Sequence, residues 1–117
     1  MRSDDRIRFL HMRDATAEAI AMAEGRSRDE LQTGRMLSLA IARCLEIIGE
    51  AASRLSAETR AEYPTLPYVE MITMRNRLIH AYFDIDLDIL WATVSEDLPP
   101  LLASLDQILK STEDPAP

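Results

Sequence analysis

Within eight residues, Arg75-Asn76-Arg77-Leu78-Ile79-His80-Ala81-Tyr82, the chain gathers a permanent cation, an amide, a titratable imidazole and a phenol. These types suit phosphate chemistry. A guanidinium can offer two parallel donors to phosphate oxygens. An imidazole, with an ordinary pKa of about 6.5, exchanges a proton near neutral pH. The placement of Arg75 sharpens the reading. On a helix, its neighbours three and four positions away are Met71, Ile72, Leu78 and Ile79, all apolar. At about 100° per residue, Arg75 therefore falls in the middle of a hydrophobic stripe. A buried guanidinium without a partner is costly, so this one needs an acid, a ligand or a watery cleft.

The neighbours of Arg75 leave more than one role open. Asn76 lies four residues before His80, on the same helical edge, where its amide can orient the imidazole. Arg75 and His80 are about 140° apart around a helix, so they are not a simple side-by-side pair. They can converge if the helix ends at His80, or if two copies of the cleft face each other. A structural account is equally available: Arg75 pairs with a buried acid, His80 is a C-terminal helix cation, and Tyr82 packs in the core. Glu46, Glu50 and Arg54 follow at four-residue spacing, which describes a solvated salt-bridged face. The alternative is that Glu50 faces the cleft of Arg75 and orients it.

Other candidates carry less. Asp84, Asp86 and Asp88 resemble the start of a calcium loop, but Ile89 stands where the loop needs its glycine and Ser95 where it needs a glutamate. They read as acids in the first turn of a helix. His11 has no ligand partner at metal spacing and defaults to the surface. A single cysteine, Cys44, excludes an intramolecular disulfide and a multi-cysteine metal site. It falls in an apolar helical run and reads as a small buried hydrophobe. No metal and no cofactor are expected.

The elements that must position these groups are helical. Of 117 residues, 47% are hydrophobic but only 5% aromatic, and there are three glycines, which disfavours a sandwich or barrel. Ser3 or Asp4 can cap a first helix that stops at Gly25. Ser27-Arg28-Asp29-Glu30 has capping-box spacing. A strong stripe then runs from Leu37 through Ile41, Cys44, Leu45, Ile48 and Ala52 to Leu55. Ser56 caps a short segment ended by Tyr63-Pro64, and Pro67 suits the first position of a helix running to about His80. Asp84 or Asp86 caps a fourth long helix, which Pro99-Pro100 kinks or restarts after Asp97. The expected fold is all-α, an antiparallel bundle of four main helices plus short segments, forming one domain over residues 1–110 with a flexible tail at 111–117.

The net charge of −7 is uneven. Residues 1–60 hold ten arginines and ten acids; residues 61–117 hold three cations and ten acids. A broad basic surface for tracking nucleic acid is therefore not expected, and any RNA or nucleotide would bind in a small, locally positive cleft. No apolar run approaches a signal peptide or the ~20 residues that span a bilayer, so a soluble cytoplasmic protein without a membrane partner is expected.

The spacing Arg-x4-His-x-Tyr, here Arg75, His80 and Tyr82, resembles the signature of the HEPN superfamily, and most of all the HepT-type toxins of prokaryotic toxin–antitoxin pairs. The resemblance extends beyond the motif. Ile47-Ile48-Gly49-Glu50-Ala51-Ala52, Tyr63-Pro64, Met74-Arg75-Asn76, His80-Ala81-Tyr82-Phe83 and Trp91 through Asp97-Leu98-Pro99 stand in the family's order, across roughly residues 5–110. It implies a HEPN-like helical bundle working as a homodimer and cutting RNA without a metal. Arg75 and His80 would be its catalytic pair, with Asn76 and Glu50 in support. It also implies that an MNT-type nucleotidyltransferase antitoxin silences the toxin by attaching AMP to Tyr82, in a system of type II or type VII character. The rival readings are a non-catalytic helical partner that docks a nucleotidyltransferase and presents a nucleotide or substrate, and a structural bundle in which Arg75 pairs with Glu50.

Overall fold

In the computed structural model, which describes residues 1–80 and 84–112, the chain forms an all-α bundle. Helix α1 spans Ser3–Ala23, α2 Arg28–Thr33, α3 Arg35–Ser53, α4 Ala57–Glu62 and α5 Tyr68–His80. The last long element is α6 (Leu87–Ala92), a π-helical turn (Thr93–Asp97) and α7 (Leu98–Ser111) in uninterrupted succession. The four main helices are α1, α3, α5 and this composite, with α3 packed against both α1 and α5. Residues 113–117, the greater part of the expected tail, lie outside the described residues. No described helix is long and apolar enough to cross a membrane.

The apolar stripe of α3 is buried as its period requires. Ile41, Cys44, Leu45, Ile48, Ala52 and Leu55 join Phe9 and Met12 of α1 and Leu90, Val94, Leu98 and Leu105 of the last helix in one core. Phe9 meets Tyr63 edge to face, with ring centroids 5.7 Å apart. Cys44 is buried. Burial pushes its thiol up from the ordinary value, and the Glu18 carboxylate adds to the effect, so it is no thiolate nucleophile.

Several helix ends follow the expected chemistry and others depart from it. Gly25 adopts φ +72° and turns the chain after α1, a conformation that favours glycine. Ser56 caps α4 by accepting from the Thr59 N–H, and Asp86 caps α6 by accepting from Asp88 and Ile89. Asp88 instead reaches Arg28 of α2 at 2.6 Å. Ser3 and Asp4 do not cap α1: the helix starts at Ser3, with Arg2 in the cap position and no side-chain cap bond. Ser27 occupies the cap of α2 but its side chain forms no cap bond, and the Glu30 carboxylate of the expected box pairs with Arg26 at 3.1 Å.

The start of α1 is anchored by Asp5, which the sequence did not single out. Its carboxylate is 3% exposed. It accepts from the Ser56 N–H (3.1 Å), the Ser56 hydroxyl (2.7 Å) and the Thr59 hydroxyl (2.6 Å). Burial alone would raise its pKa. The Thr59 and Ser56 hydrogen bonds, with Arg2 nearby, outweigh burial and lower it.

Pro99 and Pro100 explain the π-helical turn. Neither has an N–H to return to the carbonyls one turn back, so the strain falls on Thr93–Asp97, just before them. The prolines then sit in the first turn of α7, where their missing donors cost nothing.

Candidate active site

The site begins at Gly49, where α3 and α5 touch. A Cβ built there would overlap Arg75 Cβ and lie 2.5 Å from the Met71 carbonyl oxygen. Only hydrogen fits. This close approach places the next residue, Glu50, within reach of the Arg75 guanidinium.

Arg75 resolves its position in the apolar stripe by running its stem along α3 and bringing its head out at the edge. Its side chain is 23% exposed and its Nη2 lies 2.8 Å from Glu50 Oε2. Its Nη1 donates to Asn76 Oδ1 at 2.6 Å. Glu50 accepts from Arg54 Nε on its other oxygen, at 2.9 Å. Glu50 thus pairs along its own helix with Arg54 and across the helix contact with Arg75, while Glu46 pairs with Arg43. Arg75 Nε is buried and has no hydrogen-bond partner among the described residues. The guanidinium is held from two sides, with its tip at solvent.

His80 is the last residue of α5 and is exposed. Asn76 gives its amide oxygen to Arg75 and forms no hydrogen bond with His80 among the described residues, so the orienting contact suggested by their spacing is directed at the arginine. Arg77 lies apart from Arg75 and lines a different crevice with Asp84, Ile85 and Asp86. Tyr82 falls outside the described residues. Among the described residues, no group of three or more His, Cys, Asp or Glu side chains is gathered to hold a metal ion.

A feature missed in sequence adjoins this site. His11 is exposed, as expected, but not isolated: with Arg8 of α1, Arg43 of α3 and Arg54 just after α3 it lines a depression of about 130 Å³ that also includes Glu50. A larger cavity of about 490 Å³ lies on the opposite flank of α5, between α3, α5, the π-helical turn and α7. It is walled by Met71, Met74 and Leu101, with Glu70, Glu96 and Asp97 contributing carboxylates. Its size does not make it the reactive site, since it holds no cation and none of the residues of the Arg75 cluster.

A helical bundle carrying an arginine–carboxylate–amide cluster at the contact of two helices is the class defined by fold and site. The family model for ribonuclease HepT-like proteins matches residues 12–108, and the chain belongs to that family. It is 38% identical over 98 residues to "Probable ribonuclease HepT" of Thermococcus cleftensis, covering 80% of this chain and 89% of the relative. An archaeal relative from Methanocaldococcus jannaschii, whose name marks it as a candidate RNase, is 34% identical over 86 residues, 74% of each chain. A similarly named protein of Caldanaerobacter subterraneus is 35% identical over 91 residues, 78% of this chain and 81% of the relative. No solved structure gives a significant match.

Proposed function

We propose that the chain is a metal-independent RNA endonuclease, the toxin of a toxin–antitoxin pair, with Arg75 and His80 as its catalytic residues. The observation that carries this reading is the Arg75 guanidinium, fixed by Glu50 and Asn76 at a solvent edge rather than sealed in a dry core. Membership of a ribonuclease family supplies the substrate class. In the reaction, the ribose 2′-hydroxyl loses its proton to a base and attacks the adjacent phosphorus. The 5′-oxygen of the next nucleotide leaves with a proton, and a 2′,3′-cyclic phosphate remains. His80 transfers the proton. Arg75 stabilises the charge that grows on the phosphoryl oxygens. Glu50 and Asn76 are positioning residues that aim the guanidinium.

A homodimer completes the site in this reading. The outer faces of α3 and α5 leave apolar side chains in water: Ile79, one turn from Arg75, is 46% exposed, Val69 near the start of α5 74% and Met36 near the start of α3 87%. An apolar patch beside a polar cleft is what a second copy would cover. Pairing of two such faces also gives Arg75 and His80, on different sides of α5, a shared cleft in which to meet.

Silencing follows from the same charge. An MNT-type nucleotidyltransferase partner would transfer AMP from ATP to the Tyr82 hydroxyl, releasing pyrophosphate. The new phosphodiester is an anion that competes for Arg75 and fills the cleft. Expression of the chain alone, with Arg75→Ala and His80→Ala beside it, tests the reading. The parent should slow growth and leave 2′,3′-cyclic phosphate ends, and each variant should lose about 10²-fold or more of the cleavage rate. A harmless parent, or variants that cut as well as it does, would overturn the assignment in favour of a non-catalytic partner.

A further inference from the structure

We propose that the depression lined by Arg8, His11, Arg43 and Arg54 is a second phosphodiester-binding subsite, which holds the RNA strand beside the phosphate gripped by Arg75. The proposal rests on the ribonuclease reading and adds the path of the strand to it. Its first support is a concentration of charge. The chain carries −7 overall, yet three arginines and an imidazole converge on this depression against the single carboxylate of Glu50 in its lining. Arg8 has no ion-pair partner among the described residues. Arg43 holds Glu46 at 3.0 Å with its side chain 70% exposed, so the pair is weak and open to an incoming phosphate.

Continuity with the reactive cluster is the second support. Glu50 binds Arg54 through one oxygen and Arg75 through the other, at 2.9 and 2.8 Å. The two guanidinium groups are therefore one carboxylate apart. The depression lies between α1 and α3 and shares with Arg75 the carboxylate of Glu50.

The opposite direction is closed by charge. On the other flank of α5 a strand would meet Glu70, Glu96 and Asp97 around an apolar cavity. Like charges there repel a polyanion, while the cationic depression attracts it. Ile47 and Ala51 are the apolar residues of the lining, and no Phe, Tyr or Trp is among it. With no large aromatic platform and no amide to read base edges, the subsite engages its guanidinium and imidazole groups with backbone phosphate and leaves sequence choice to other parts of the cleft.

Binding and cleavage measured together test this. In an uncleaving His80→Ala background, the Arg8→Ala/Arg43→Ala pair should weaken binding of a single-stranded 12-mer by about tenfold, equally for different sequences. The slope of log affinity against log salt should fall by roughly 0.7 for each lost phosphate contact. With His80 restored, the double variant should keep the parent kcat on a dinucleotide and lose kcat/KM on the 12-mer. Arg26→Ala, a charge loss at the far end of α1, should leave all of these unchanged. Equal 12-mer affinity in parent and double variant overturns the subsite, as does failure of both to bind RNA or an equal loss in Arg26→Ala. A parent that binds RNA but never cuts it overturns the nuclease reading alone, because the affinity difference still reports on the subsite.

Discussion

Glu50 and Arg75 form an ion pair of 2.8 Å across the contact of α3 and α5, with the carboxylate 43% and the guanidinium side chain 23% exposed. A pair so open to water adds little stability, of order 0–1 kcal/mol. What it supplies is direction, since without it the tip of Arg75 is held by Asn76 alone. It also places an anion where a phosphate would bind. Glu50→Gln should therefore lower kcat roughly 10- to 100-fold through a misplaced guanidinium. KM for RNA should fall or stay level, because a competing charge is gone. Steady-state kinetics give the split, and a thermal melt should show Tm nearly unchanged. A rise in KM with kcat intact would assign Glu50 to substrate binding instead.

Gly49→Ala tests the helix contact beneath that pair. The new methyl meets Arg75 Cβ and a backbone carbonyl, neither of them the loose end of a side chain. The helices must separate, at a cost of about 2–3 kcal/mol, which in a domain of this size lowers Tm by roughly 10 °C or more. Cleavage by the folded fraction should fall too, since Arg75 moves away from Glu50. Calorimetry with an activity assay below the transition checks both.

How far such features could be read from sequence depends on whether their partners are local. The bundle was legible because the stripe of α3 and the leucines of the last helix repeat at the helical period. Arg75 was legible because it breaks that period. The spacing of Glu50 makes it a candidate for the same cleft, but only the close approach at Gly49 decides that it reaches Arg75. Asp5 and the depression around His11 were opaque. Asp5 meets Ser56 and Thr59 more than fifty residues away, and Arg8 and His11 gain Arg43 and Arg54 only when α1 lies beside α3. Capping at Ser3 was not legible because α1 starts at Ser3 itself, with Arg2 in the cap position.

The acid limb of stability should carry the signature of Asp5. Burial works against its charged form, but hydrogen bonds from Thr59 and Ser56 hold its pKa below the ordinary 3.8. A folded-state pKa below the unfolded one means that its stabilisation is complete above the unfolded value. It fades as pH falls through that value and then through the folded one. Chemical denaturation from pH 6 down to pH 2 should show this loss in the parent and a shallower acid limb in Asp5→Asn. Asp5→Ala should cost about 1–3 kcal/mol at neutral pH, because the Ser56 N–H and the Thr59 hydroxyl lose their buried acceptor. An unaltered acid limb in Asp5→Asn would contradict the account.

Arg75→Lys separates the demands of stability from those of chemistry. Arginine here leaves Nε buried without a partner among the described residues, a defect that costs on the order of 1 kcal/mol. Lysine keeps the charge and the apolar stem, removes the orphaned donor and can still reach Glu50 as a single point charge. Tm should therefore hold or rise slightly. Lysine cannot present two parallel donors to a phosphoryl group, so kcat should drop by about 10²-fold while the fold is intact. Melting curves and single-turnover cleavage read the two quantities independently. A variant that loses Tm and activity together would mean that the guanidinium fork serves the fold, and a variant that keeps both would mean that any cation suffices at the phosphate.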